Sequence, residues 1–142
     1  MAIRISTTQL EKIKSHLESC YPEEGCCILL GVLENDIKVL KEAVPIKNVA
    51  SDNRKRRYLI DPKEYSSIEK EAAKNSLEII GIAHSHPGHP SIPSEFDNQH
   101  AWPFFSYIII SVKSGKSDTV KSWILKDDRS RFEEEEIKYS NI

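Results

Sequence analysis

An α+β fold, built on a curved mixed β-sheet flanked by two main helices and one short one, is what this sequence predicts. Three observations carry that prediction. Apolar segments with the length and β-branched content of strands outnumber the helical ones. Two of them are joined by a connection short enough for a hairpin. Two other stretches repeat their apolar residues every three to four positions, as amphipathic helices do. Short hairpin connections together with segregated helices are the mark of the α+β class.

In chain order, Ser6-Thr7-Thr8 offers N-caps, and Leu10, Ile13, Leu17 and Cys20 follow as one apolar face of a first helix that ends at Tyr21-Pro22. Residues 25–33 (GCCILLGVL) read as a largely buried strand, Glu34-Asn35-Asp36 as a turn, and residues 37–44 as the returning strand. Residues 46–57 form an exposed loop carrying the basic run Arg54-Lys55-Arg56-Arg57. Tyr58-Leu59-Ile60 is a short strand, and Asp61-Pro62 is an N-cap followed by proline at the first helical position. The second helix runs to Asn75, with Tyr65, Ile68 and Ala72 inward. Residues 77–84 (LEIIGIAH) form a third strand before a loop dense in proline, and residues 94–101 make a short helix. Residues 105–112 (FSYIIISV) are a buried strand and residues 120–125 (VKSWIL) a half-buried one. The tail, residues 131–139, carries Glu133 to Glu136 and is pinned to the body by Phe132 and Ile137. No linker or repeat divides the chain, so one domain spans 1–142.

Composition narrows the function. With 39% apolar and 30% charged residues the chain reads as globular, and a net charge of −2 argues against a general nucleic-acid binder. No apolar run approaches the ~18 residues that a membrane span requires. The N-terminus has charges throughout and does not resemble a secretory signal. Cys20, Cys26 and Cys27 are odd in number and two are adjacent, which does not fit a disulfide framework; the expectation is a reduced, cytoplasmic setting. Cys26 and Cys27 would face opposite sides of their strand as small buried side chains.

The chemistry is concentrated in His84-Ser85-His86-Pro87-Gly88-His89-Pro90-Ser91-Ile92-Pro93-Ser94-Glu95-Phe96-Asp97. Side chains alternate along a strand, so His84 and His86 project to one side. After the proline-rich loop, Ser94 and Asp97 lie three apart on a helix start and share a face. Two histidines and a carboxylate leave the fourth tetrahedral position of a zinc ion open, the layout of a catalytic site. Taken alone, Ser94-x-x-Asp97 also fits a helix capping box. His16, His89 and His100 read as solvent-exposed.

The motif His84-x-His86, seven residues, Ser94, two residues, Asp97 resembles the signature of the JAMM (MPN-domain) metalloproteases, in a compact stand-alone prokaryotic form. The resemblance implies the JAMM/cytidine-deaminase-like fold and a zinc ion bound by His84, His86 and Asp97. It also implies that Ser94 stabilises the tetrahedral intermediate. The family places a catalytic glutamate before its first core strand in a Glu-x-Cys-Gly-x-Leu-x-Gly pattern. Here Glu24-Gly25-Cys26-Cys27-Ile28-Leu29-Leu30-Gly31 stands there, with Cys27 in place of the usual glycine and Glu23 as the neighbouring alternative. Asn48, residues 57–62, residues 105–112 and Ser122-Trp123 extend the likeness over nearly the whole chain.

What the resemblance implies is hydrolysis of an amide or isopeptide bond. The zinc ion lowers the pKa of its water, Glu24 serves as general base, and Ser94 donates to the oxyanion. The implied substrate is the C-terminal tail of a ubiquitin-like or sulfur-carrier protein; the loops at residues 46–57 and 98–104, which ubiquitin-cleaving members enlarge, are short here and favour a sulfur carrier or small modifier over polyubiquitin. The alternative is a non-catalytic MPN-type scaffold; such members typically lose metal ligands, and this chain keeps all of them. The His-x-His patterns of metallo-β-lactamases and cupins fit less well: Gly88 stands where the first needs aspartate, and Pro90-Ser91 where the second needs glutamate.

Overall fold

The computed structural model describes residues 2–141. Its strands are β1 (Ala2–Ser6), β2 (Cys26–Glu34), β3 (Ile37–Ile46), β4 (Glu78–Pro87), β5 (Ser106–Lys113), β6 (Lys116–Leu125) and β7 (Phe132–Ser140). Its helices are α1 (Thr7–Cys20), α2 (Pro62–Lys74) and α3 (Glu95–His100). The strands form one mixed sheet in the order β1-β3-β2-β4-β5-β6-β7, closed into a barrel by parallel pairing of β7 with β1. The sheet is mixed, as the sequence predicts, and its closure into a barrel is not part of that prediction. Closure leaves no row of unpaired backbone groups exposed at an edge.

The expected helices are present with their caps. Ser6 accepts from the Gln9 N–H to cap α1, and Asp61 accepts from the Lys63 N–H to cap α2, with Pro62 at its start. Leu10, Ile13 and Leu17 are buried, while Cys20 is only half-buried. On α2, Ala72 is buried and Tyr65 and Ile68 pack half-buried against the core.

Two strands go beyond the sequence reading, and one expected strand is not formed. β1 precedes α1 and carries no turn or alternation signal beyond Ile3 and Ile5; its identity comes from parallel pairing with β3 and β7. The tail at residues 131–139 is a strand, with Phe132 and Ile137 packed against the core as expected. Tyr58-Leu59-Ile60 is not a strand: Leu59 bonds locally, to Val49 and to Asn48. Among the described residues no helix is long and apolar enough to cross a membrane.

Alternation along the strands divides the core. Cys27 and Leu29 join Ile80, Ala83, Ile108 and the apolar face of α1. Cys26, Ile28 and Leu30 join Ile79 and Ala72 of α2. The two adjacent cysteines therefore face opposite ways, both buried. Gly81 lets β4 and β5 approach: a Cβ there would lie 2.1 Å from the Ser106 carbonyl oxygen, closer than any side chain tolerates.

Candidate metal centre

Pairing of β2 with β4 builds the site. The strands are antiparallel with Cys26 opposite His84, and residues in register share a face. Carried two residues further, that register brings Glu24, just ahead of β2, towards His86. Backbone bonds fix Glu24 there: its N–H donates to the Arg54 carbonyl at 2.7 Å, and its own carbonyl accepts from Asn48 Nδ2 at 2.9 Å. Beside it, the Gly25 N–H donates to Ser85 Oγ at 2.8 Å and the Ser85 N–H returns to the Gly25 carbonyl at 3.1 Å.

The loop after β4 is pinned rather than free. Gly88 takes φ +75°, a left-handed conformation that favours glycine, and its N–H donates to the Val112 carbonyl at 2.9 Å. Ser91 Oγ accepts from the Ser111 N–H at 3.0 Å, and Trp123 Nε1 donates to the Ser91 carbonyl at 3.0 Å. The chain so held enters α3 through a capping box. The Asp97 N–H donates to Ser94 Oγ at 3.1 Å, and Asp97 Oδ2 accepts from the Ser94 N–H at 2.9 Å. The capping and site-building roles of these two residues thus coexist, because the same Oδ2 turns towards the histidines.

Three side-chain atoms converge. His84 Nε2 and His86 Nε2 are 3.3 Å apart, and they lie 3.3 Å and 3.1 Å respectively from Asp97 Oδ2. Both histidines are fully buried and Asp97 nearly so. Burial alone would raise the Asp97 pKa; the opposing charge of His84 and hydrogen bonds from His84, His86 and the Ser94 N–H hold it well below the usual carboxylate range. Donor atoms bound to one tetrahedral zinc at about 2.0–2.1 Å stand about 3.3–3.4 Å from one another, so these separations fit that ion. The tautomer fits too. His86 Nδ1 lies 2.8 Å from the Pro90 carbonyl, which requires a proton on Nδ1, so the proton that Nε2 shares with Asp97 is the one a metal ion would displace. His84 Nδ1 has no partner; its ring is held by stacking on Tyr58, with centroids 4.6 Å apart.

Glu24 is buried to 1% exposure, and its Oε1 has no hydrogen-bond partner. Burial pushes its pKa up from the ordinary 4.5 to about 8, with Asp97 adding to the rise and His86 opposing it. Glu23, by contrast, sits at the surface in an ion pair with Arg54 at 3.1 Å, so Glu24 is the one turned inward. Ser94 stands at the N-cap of α3, with its hydroxyl engaged through one lone pair.

Two histidines depart from expectation. His16 is half-buried, with Nε2 3.3 Å from the Ile46 carbonyl. His89 is half-buried and stacks on His86 at 4.1 Å. His100 is exposed, as expected. Sequence reasoning also missed Tyr58, whose one available signal was an aromatic directly after a basic run. Alongside the centre runs a groove of about 760 Å³ whose walls include Tyr58, Phe96, Asp97, Trp102, Phe105 and Tyr107.

Residues 7–126 match the family model for prokaryotic homologs of the JAB domain. The chain belongs to that family. JAB is another name for the JAMM or MPN domain, so the resemblance read from the motif is a family relationship. A desampylase of Haloferax volcanii is 35% identical over 91 residues, which are 63% of each chain. A probable TtuB-protein conjugate cleaving protease of Thermus thermophilus is 28% identical over 118 residues, covering 83% of this chain and 72% of the relative. The match thus spans less than two thirds of the Haloferax protein. A Desulfitobacterium hafniense protein known from its solution structure superposes with a TM-score of 0.85 at 30% identity, covering 100% of this JAB chain and 94% of the other.

Proposed function

We propose that this JAB protein is a zinc-dependent isopeptidase acting at the C-terminal tail of a ubiquitin-like or sulfur-carrier protein. The observation that carries the reading is the triangle of His84 Nε2, His86 Nε2 and Asp97 Oδ2, with sides of 3.1 to 3.3 Å, beside the buried and unpaired carboxylate oxygen of Glu24. His84, His86 and Asp97 would hold zinc, which when bound lowers the pKa of water and polarises a carbonyl. Glu24 would accept the proton of the attacking water, and its pKa of about 8 still lies below that of a departing lysine amine, about 10.4, so the proton passes on to nitrogen. Ser94 donates its hydroxyl to the oxygen on which charge develops.

The desampylase and TtuB-conjugate-cleaving activities for which the Haloferax and Thermus relatives are named support a protein-conjugate substrate. The groove beside Asp97 supports it as well: it is open to solvent and mainly apolar, with room for the side chains of a peptide tail.

Metal analysis after zinc reconstitution tests the reading, with cleavage of a TtuB–protein conjugate as the second readout. Wild type is expected to hold about one zinc per chain and to cleave; Asp97→Ala is expected to lose both. A wild type that takes up no zinc overturns the hydrolase reading and leaves the scaffold alternative.

A further inference from the structure

His89 has no part in the site as described so far. Its ring lies flat on His86, with planes 14° apart. Its Nε2 is buried without a hydrogen-bond partner, as is Glu24 Oε1. A carboxylate oxygen of Glu24, a ring nitrogen of His86 and a ring nitrogen of His89 all lie within 4.8 Å of one another. Glu24 and His89 make no hydrogen bond to each other. Buried polar atoms that the chain's own groups leave unpaired call for a partner from outside.

The chemistry of the substrate says which partner. A secondary amide entering the site carries one acceptor, its carbonyl, and one donor, its N–H. Ser94 and the metal position serve the carbonyl. Glu24 is committed to the proton of water. The N–H, stripped of water, still needs an acceptor.

We propose that His89 is a further catalytic residue, whose Nε2 accepts a hydrogen bond from the N–H of the scissile amide. The assignment rests on the isopeptidase reading above. His89 exchanges no proton in it. The water oxygen bonds to the carbonyl carbon and one water proton goes to Glu24. The C–N bond then breaks, nitrogen keeps the electron pair, and Glu24 hands the same proton to that nitrogen. His89 holds the nitrogen so that its lone pair faces Glu24 as it leaves. Stacking on His86 fixes the imidazole in place for this.

An ester has no N–H, and that separates this role from a merely structural one. TtuB joined through its C-terminal carboxyl to a lysine amine is compared with TtuB joined to a serine hydroxyl, using wild type, His89→Ala and His89→Asn. His89→Ala is expected to keep one zinc per chain, to lower kcat/KM on the amide by about tenfold or more, and to lower it on the ester by less than about threefold. His89→Asn, which retains an acceptor oxygen, is expected to recover part of the amide rate. Equal loss on both substrates, no loss on the amide, or loss of zinc overturns the assignment while the isopeptidase reading stands. A zinc-bound wild type that cleaves neither conjugate overturns that reading, and the role of His89 falls with it.

Discussion

Glu24→Gln is expected to keep one zinc per chain and to lose turnover by about 10²–10⁴-fold, the range a positioned proton acceptor contributes. The substitution preserves shape and removes only the ability to take and return a proton. The Glu24 backbone bonds to Arg54 and Asn48 survive it, so the residue's placement beside His86 is kept. Metal analysis and single-turnover cleavage on the same preparation check both halves. Loss of zinc would make Glu24 a ligand, and full activity would remove it from the mechanism. The metal-free protein offers an independent readout through pH. Glu24 in the folded state has a pKa of about 8 against an ordinary 4.5, so between these values the folded chain holds a proton that the unfolded chain has released. Stability from this group is therefore present below about 4.5 and is lost as pH rises through 8. Urea midpoints of the metal-free wild type should fall over that window, and those of Glu24→Gln should fall less.

How far the sequence discloses this site depends on the range of the interaction that places each residue. His84 and His86 are legible because the two-residue period of a strand is local. Asp97 is legible through its spacing from Ser94, which a capping box and a ligand role both require; the capping box is formed, and the same carboxylate turns towards His84 and His86. Glu24 reaches the site through the register of β2 on β4, and one local sequence cannot choose between it and Glu23. The family motif supplied that choice, and the buried Glu24 carboxylate agrees with it. His89 and Tyr58 escaped because stacking on the His84 and His86 imidazoles is a contact between loop and strand that no periodicity encodes. The closing strands escaped for the same reason. β7 reads FEEEEIKYS, with Glu133, Glu134 and Glu136 exposed and Glu135 turned inside, so alternation is invisible in a run of identical residues. β1 has only five residues, and both its partners lie at least 35 positions away: Arg4 pairs with Val39 (39 − 4 = 35) and, on its other side, with Lys138.

Glu135 inside the barrel leads to the largest expected effect on stability. Lys38 of β3 is fully buried and faces Glu135 across the barrel end at 3.8 Å. Its Nζ also donates to Ser106 Oγ at 3.0 Å and to the Phe104 carbonyl, and lies 4.7 Å from the centre of the Phe104 ring. Glu135 Oε1 accepts from Ser122 Oγ at 2.7 Å, but Oε2 has no hydrogen bond, so the Lys38 charge is its main compensation. Burial pulls the Lys38 pKa down while Glu135 pulls it back up, the balance expected of a pair that is tolerable only together. Lys38→Met keeps the length of the side chain and strands the carboxylate, and should destabilise by about 3–5 kcal/mol, a fall in Tm on the order of 10 °C. Lys38→Met with Glu135→Leu removes both charges and should recover most of the loss. Equal stability of the single variant and wild type would show the pair to be without weight. The double variant carries a second consequence. Phe104, at φ +81°, holds a strained left-handed backbone, and Lys38 grips its carbonyl just where the chain turns from Trp102 to Phe105 on the wall of the groove. Freed of that grip, the turn should relax even though the fold is stable, so KM for a conjugate should rise in the double variant while zinc content stays at that of wild type.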